Sequence, residues 1–122
     1  MPCDCVIDLE RQRVLGRAWG LVTYDEILAA RRQFTTDPNF EPHFSQIYDG
    51  RELTRLALTA SQIGVLAKED LFDSRSRRAF VAPTREAYEM MRLFQTYRQL
   101  NAGKEQIRLF RTLEDAEAWL AG

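Results

Sequence analysis

The sequence predicts a single α/β domain whose mixed five-stranded sheet and helices follow the order ββαβαβαβα. Two observations point there. Thr23, Thr59, Thr84 and Thr112 each stand just before a stretch with helical apolar spacing, and a threonine hydroxyl readily accepts from the free amides of a helix start. Thr23-Tyr24-Asp25-Glu26 and Thr59-Ala60-Ser61-Gln62 have the full capping-box form, while Thr112-Leu113-Glu114-Asp115 carries Asp in the last place. Second, the stretches between these helices read as strands. Strands separated by helices pair in parallel through right-handed crossovers, and an opening hairpin adds one antiparallel pair.

The elements follow in order. Ile7 and Leu9 alternate with Asp8 and Glu10, the period of a half-buried strand. The polar run 10–13 makes the turn, and Val14 to Trp19 returns. Gly20 lets the chain enter the first helix, which spans Tyr24 to Phe34 with Ile27, Leu28, Phe34 and the stem of Arg31 near one face. Asp37-Pro38-Asn39 and Pro42 mark a loop, and Phe44 to Asp49 is a strand ending in Asp49-Gly50. Residues 51–58 read as an irregular connection to the Thr59-capped helix, which carries Ile63, Leu66 and Ala67. After the polar run 73–77, Arg78 to Ala82 forms a short buried strand closed by Pro83. Thr84 opens the longest helix, through Tyr88, Met91, Phe94 and Tyr97 to Leu100, and Gly103 follows its end. Residues 107–110 are the last strand, and Ala116, Trp119 and Leu120 share one face of a closing helix.

Composition narrows the function classes. The 122 residues suffice for one domain with a real core. Seventeen basic against 18 acidic residues, a net charge of −1, give no basic surplus for phosphate, so nucleic acid is not the expected partner. No apolar run approaches the roughly 20 residues of a membrane span, and the start lacks signal-peptide character. A cytoplasmic location is the resulting expectation. Cys3 and Cys5, with His43 as the single histidine, are too few for a closed zinc site. Neither metal nor cofactor is expected. His43 lacks the positioned partner and nucleophile that general-base chemistry needs, and Asp25-Glu26 and Glu114-Asp115 lie in first helical turns where carboxylates favour the dipole. No catalytic set emerges, so the chain is expected not to be an enzyme.

The hairpin, the Gly-Leu-Val-Thr helix entry, the strand ending in Asp49, the Arg-Ala-Phe-Val-Ala-Pro strand, the Tyr-x-Met-Met helix and the Leu-Phe-Arg-Thr-x-x-Asp-Ala-x-x-Trp-Leu tail together resemble the SpoIIAA-like branch of the STAS superfamily. The resemblance implies helices packed mainly on one side of the sheet, and a non-enzymatic regulatory module. In the sporulation anti-anti-sigma proteins a switch serine lies in an Asp-Ser-Ser-Gly-Leu-Gly-like motif. Aligned here are Thr59, Ala60, Ser61, Gln62, Ile63 and Gly64, with Ser61 at the switch serine and Ile63 and Gly64 matching the motif's end. Thr59, Ala60 and Gln62 depart from it. The resemblance thus implies docking of an unidentified partner protein through Thr59 to Gly64, while the departures at Thr59 and Gln62 lead to the expectation that Ser61 is an unmodified helix-start residue.

Two further surfaces follow from the residues. The carboxyl ends of parallel strands gather loops and helix starts, which nominates Asp49, Arg51, Thr84 and Arg85 for a small anion, against the plainer role of the threonines as caps. The third helix carries Tyr88, Met90, Met91, Leu93, Phe94 and Tyr97 over more than one face. That width fits a broad core stripe, a homodimer interface through Met90, Leu93 and Tyr97, or one wall of a cavity. The alternative function is therefore a small-molecule or lipid carrier with its cavity between the sheet and this helix.

Overall fold

The chain begins with a hairpin whose turn depends on Gln12, which adopts a left-handed φ of 55°. In the computed structural model, which describes residues 2–122, this turn joins β1 (Cys3–Asp8) to β2 (Arg13–Thr23). The remaining elements are α1 (Tyr24–Thr35), β3 (Ser45–Ala57), α2 (Ala60–Leu66), β4 (Arg77–Val81), α3 (Arg85–Leu100), β5 (Gln106–Phe110) and α4 (Leu113–Ala121). The sheet order is β1-β2-β3-β4-β5, with β1 antiparallel to β2 and every later pair parallel. This is the mixed five-stranded α/β domain that the sequence predicts.

All four threonines cap as expected. Thr23, Thr59, Thr84 and Thr112 have extended backbones, and their hydroxyls accept from the amides of Glu26, Gln62, Ala87 and Asp115. Glu26 and Gln62 complete their capping boxes by accepting from the threonine amides.

Right-handed crossovers that step one strand at a time in a constant direction leave their helices on one face. Phe80, Leu56, Val22 and Ala18 point to that face and pack with Ala30, Ala87 and Met91 of α1 and α3. The intervening residues Ile47, Ala79 and Val81 point the other way and are covered by Ala116, Trp119 and Leu120 of α4.

Three local expectations are revised. Residues 51–57 are not an irregular connection: β3 runs on through them, paired with an equally extended β2 as far as Thr23↔Ala57. Gly20 does not turn the chain into α1. It sits within β2 at a φ of 63°, at a register shift between Gly20 and Leu21 across which β3 carries one extra residue, from Leu53 to Arg55. Leu9 falls in the hairpin turn and is exposed, because β1 ends at Asp8.

Candidate functional site

The helices on the crossover face do not close over the sheet. α1 packs on β1 and β2, α3 packs on β3 and β5, and the short α2 leans on α3. Its two buried side chains, Ile63 and Leu66, cannot fill the gap between the longer helices. A cavity of about 100 Å³ remains over the middle of β3 and β4. Ile27 and Ala30 of α1, Ile63 and Leu66 of α2, and Met90 and Phe94 of α3 form its apolar walls. Phe34 bounds it with a cluster in which the rings of Phe34, Phe40 and Phe72 lie 5.1 to 5.7 Å apart.

Four polar side chains line the same space: Arg31, Gln46, Tyr48 and Arg78. Gln46 and Tyr48 share one phase of β3, and Arg78 stands opposite Gln46 on β4. Arg78 is almost wholly buried. Its Nε donates to Gln46 Oε1 at 2.8 Å and its Nη1 to Glu105 Oε2 at 2.7 Å. The guanidinium is 4.6, 5.3 and 5.5 Å from the ring centres of Phe72, Phe94 and Phe80. Burial pulls its pKa down to about 10, against the pull of Glu105 and with the help of Arg31, so it remains charged at neutral pH.

Arg31 spans from α1 to α2, donating from Nη1 to the Leu66 carbonyl at 2.9 Å and to Glu69 Oε1 at 3.4 Å. Burial lowers its pKa, and Glu69 opposes the shift. The Tyr48 hydroxyl is buried without any hydrogen-bond partner. Burial pushes its pKa up, with Cys3 and Cys5 adding to the effect, so it stays a protonated donor. Cys5, also on the cavity wall, is pushed up to about 12 by burial and then by Cys3, and holds its proton as well.

Behind Arg78 lies an ionic cluster. Glu105, with a side chain wholly removed from solvent, accepts from Arg78 and also from Arg98 Nε at 3.1 Å and Nη2 at 2.8 Å. Arg98 in turn donates to the carbonyls of Ala67 and Glu69 and to Asp70 Oδ1. It thereby ties the end of α3 to the segment after α2.

The residues nominated by sequence are distributed differently. Thr59, Ala60 and Ser61 are exposed at the start of α2; Gln62 is engaged in the capping box; Ile63 points into the cavity wall; and Gly64 backs against the Tyr97 ring. Asp49 and Arg51 grip one another, Nε to Oδ1 at 2.9 Å and Nη2 to Oδ2 at 2.8 Å. They stand mid-strand in β3, whose continuation to Ala57 separates them from Thr59. Arg85 pairs with Glu89 along α3, and Thr84 serves as the cap. Met90, Leu93 and Tyr97 are each partly buried, Met90 in the cavity wall and Tyr97 beside α2. The exposed apolar side chain of α3 is Leu100. His43 is half-buried, 3.2 Å from Gln12 Oε1. Cys3 is buried and donates to the Glu26 carbonyl. Among the described residues no group of three or more His, Cys, Asp or Glu could hold a metal, and no helix is long and apolar enough to cross a membrane.

Sequence reasoning located the cavity's third-helix wall but passed over Arg31, Gln46, Tyr48 and Arg78. A signal was present: Gln46, Tyr48, Arg78 and Phe80 occupy alternate positions of two central strands, where a covered sheet face calls for aliphatic residues. Compared with known proteins, the chain matches no family model and no curated sequence.

Proposed function

We propose that this domain binds a small, largely apolar molecule in the cavity between the sheet and α1, α2 and α3, as a carrier or sensor and not as a catalyst. The observation that carries the reading is the cavity itself. Protein interiors pack at crystal-like density, with few voids larger than a water molecule. Here a concave, mostly apolar space of about 100 Å³ stands between the sheet and three helices with a few polar groups on its wall, the usual make-up of a small-molecule site. Such a void is a usable site. The unbranched side chains of Met90 and Met91 on its wall adapt to varied shapes.

Two measurements test the proposal together. Native mass spectrometry of gently purified protein is expected to show a stoichiometric small-molecule adduct, and toluene is expected to shift the methyl resonances of Met90 and Met91 in a saturable way. A clean apo mass combined with unmoved methionine methyls would refute the reading.

A second reading follows the resemblance to SpoIIAA-like STAS domains: docking of a partner protein on α2. Ser61 is exposed at the helix start, and Val65, one turn on, is 49% exposed, giving a small surface with an apolar centre. Partner capture that is unchanged by Ser61→Asp and by Val65→Asp would sink it.

A further inference from the structure

We infer that the molecule held in the cavity is a small carboxylic acid with a compact apolar body, its carboxylate received by Arg31 and Arg78. The inference rests on the cavity-binding reading and adds the chemistry of the ligand's polar end.

The free polar groups on the cavity wall are hydrogen-bond donors. Arg78 spends Nε and Nη1 on Gln46 and Glu105, and its Nη2 has no partner among the described residues. Arg31 uses only Nη1, leaving Nε and Nη2 free. Gln46 must turn its amide oxygen to Arg78 Nε, which leaves its NH₂ pointing elsewhere without a partner. The sealed, unpartnered side-chain atoms among the described residues are the Tyr48 hydroxyl and Ser76 Oγ. The spare N–H groups of Arg78 and Gln46 are therefore not sealed, although both residues are nearly buried; the space they touch is the cavity they line. No aspartate or glutamate lines it.

The charge balance points the same way. Arg78 and Arg98 share one buried carboxylate, Glu105. The other carboxylates of the group, Asp70 and Glu69, have side chains 76% and 56% exposed and pair on the solvent side with Arg98 and Arg31. Positive charge is thus in excess on the cavity side, and a guanidinium's planar donors match the two oxygens of a carboxylate. Both guanidiniums lie within 5.8 Å of the Phe94 ring centre and line the same space. The rest of the wall is aliphatic or aromatic, and the volume is comparable to a cavity that holds benzene. The fitting occupant is a monoanion on a body of one ring or a short branched chain.

The test is calorimetric titration of the full chain with phenylacetate, with its neutral counterpart phenylacetamide, and with inorganic phosphate. Phenylacetate is expected to bind at least about tenfold more tightly than the amide, the scale of one hydrogen bond to a charged group, and phosphate is not expected to displace it. Arg31→Gln, on a helix at the cavity rim, is expected to narrow the preference for the acid over the amide, with Arg78 still in place. Equal affinities for acid and amide in the unaltered chain would overturn the inference and leave the cavity reading standing. So would displacement by phosphate, which would mark a site for any anion. A preference undiminished in Arg31→Gln would overturn the assignment of the carboxylate to Arg31. Binding of neither aromatic probe would instead refute the cavity reading beneath it. Because the acid–amide comparison uses the unaltered chain, it holds even if a variant folds poorly.

Discussion

Glu105→Gln is the substitution whose cost the structure specifies most fully. The carboxylate is wholly buried and accepts three hydrogen bonds from two guanidiniums, at 2.7, 2.8 and 3.1 Å. Glutamine keeps the shape but removes the charge and turns an NH₂ toward arginine donors. Two buried cations then face each other with no buried counter-charge, and breaking a buried pair in this way costs about 3–5 kcal/mol. Against a total stability of about 5–15 kcal/mol for a domain, and a urea slope of about 1–3 kcal/mol per molar, the unfolding midpoint should fall by about 2 M. Urea titration followed by circular dichroism measures it. The pH dependence supplies an independent check. Burial acts to raise the Glu105 pKa, but Arg98 and Arg78 overcome it and hold the pKa below the ordinary glutamate value of 4.5. A depressed folded-state pKa contributes stability that is complete above the unfolded value and is lost as pH falls through the folded one. The unaltered chain should therefore weaken below about pH 4.5, and Glu105→Gln should lose that part of the acid limb. A loss under about 1 kcal/mol, the scale of an exposed pair, with an unchanged acid limb would show that the cluster does not form as described.

Three other outcomes are expected. Tyr48→Phe removes a hydroxyl that is buried without a partner, so the ligand-free domain should gain up to about 1 kcal/mol in chemical denaturation; a clear loss would show that the hydroxyl has a partner. Gly64→Ala sits inside α2, where the new Cβ would meet the Tyr97 ring at an ordinary 3.8 Å, and should stabilise by about 0.5–1 kcal/mol in the same assay; destabilisation would show that α2 needs the glycine. Gly50→Ala would bring a Cβ to 2.7 Å from the Val81 carbonyl and 2.9 Å from Leu53 Cδ1, so a melting temperature lowered by more than about 5 °C is expected, and an unchanged one would contradict the close approach of β3 to β4.

The helix starts were legible because capping is local: a threonine and the three residues after it contain all the partners involved. The far half of β3 was not legible, because its pairing with β2 passes through two register shifts. Those shifts place buried Leu53 and Leu56 three residues apart, where an unbroken strand would space them by two. Gly20 was misread for the same reason, since a glycine facing a register shift and a helix-entry glycine look alike until the partner strand is known. The third-helix wall of the cavity showed in the excess width of its apolar surface. The polar wall did not, because Arg31 reads equally well as a cation complementing the C-terminal half of its own helix. Its partners Leu66 and Glu69 lie at the end of α2 and in the segment after it. Glu105 and Arg98, seven residues apart around a turn, carry no motif that separates them from surface charges.

The two buried arginines of the cluster differ in what they satisfy. Arg98 donates to the carbonyls of Ala67 and Glu69 beyond α2, groups that a helix end leaves open, and so closes backbone that would otherwise be unpaired. Arg78 closes no backbone group. It contacts Gln46 and Glu105, side chains that are themselves polar insertions into the interior. Apolar residues of similar volume in place of a buried ion pair are often as stabilising or more so. An aliphatic residue at the Arg78 position of β4 would also suit a covered sheet face. The structural account thus explains Arg98 in full, while Arg78, beyond its bonds to Gln46 and Glu105 and its contacts with the rings of Phe72, Phe80 and Phe94, keeps a spare donor beside the cavity. Departures of this kind from a consistent core are where functional sites are found, and this one adjoins both the void between the helices and the unpartnered hydroxyl of Tyr48. Three such features in one place support a ligand-binding role for the cavity more strongly than any one of them does alone.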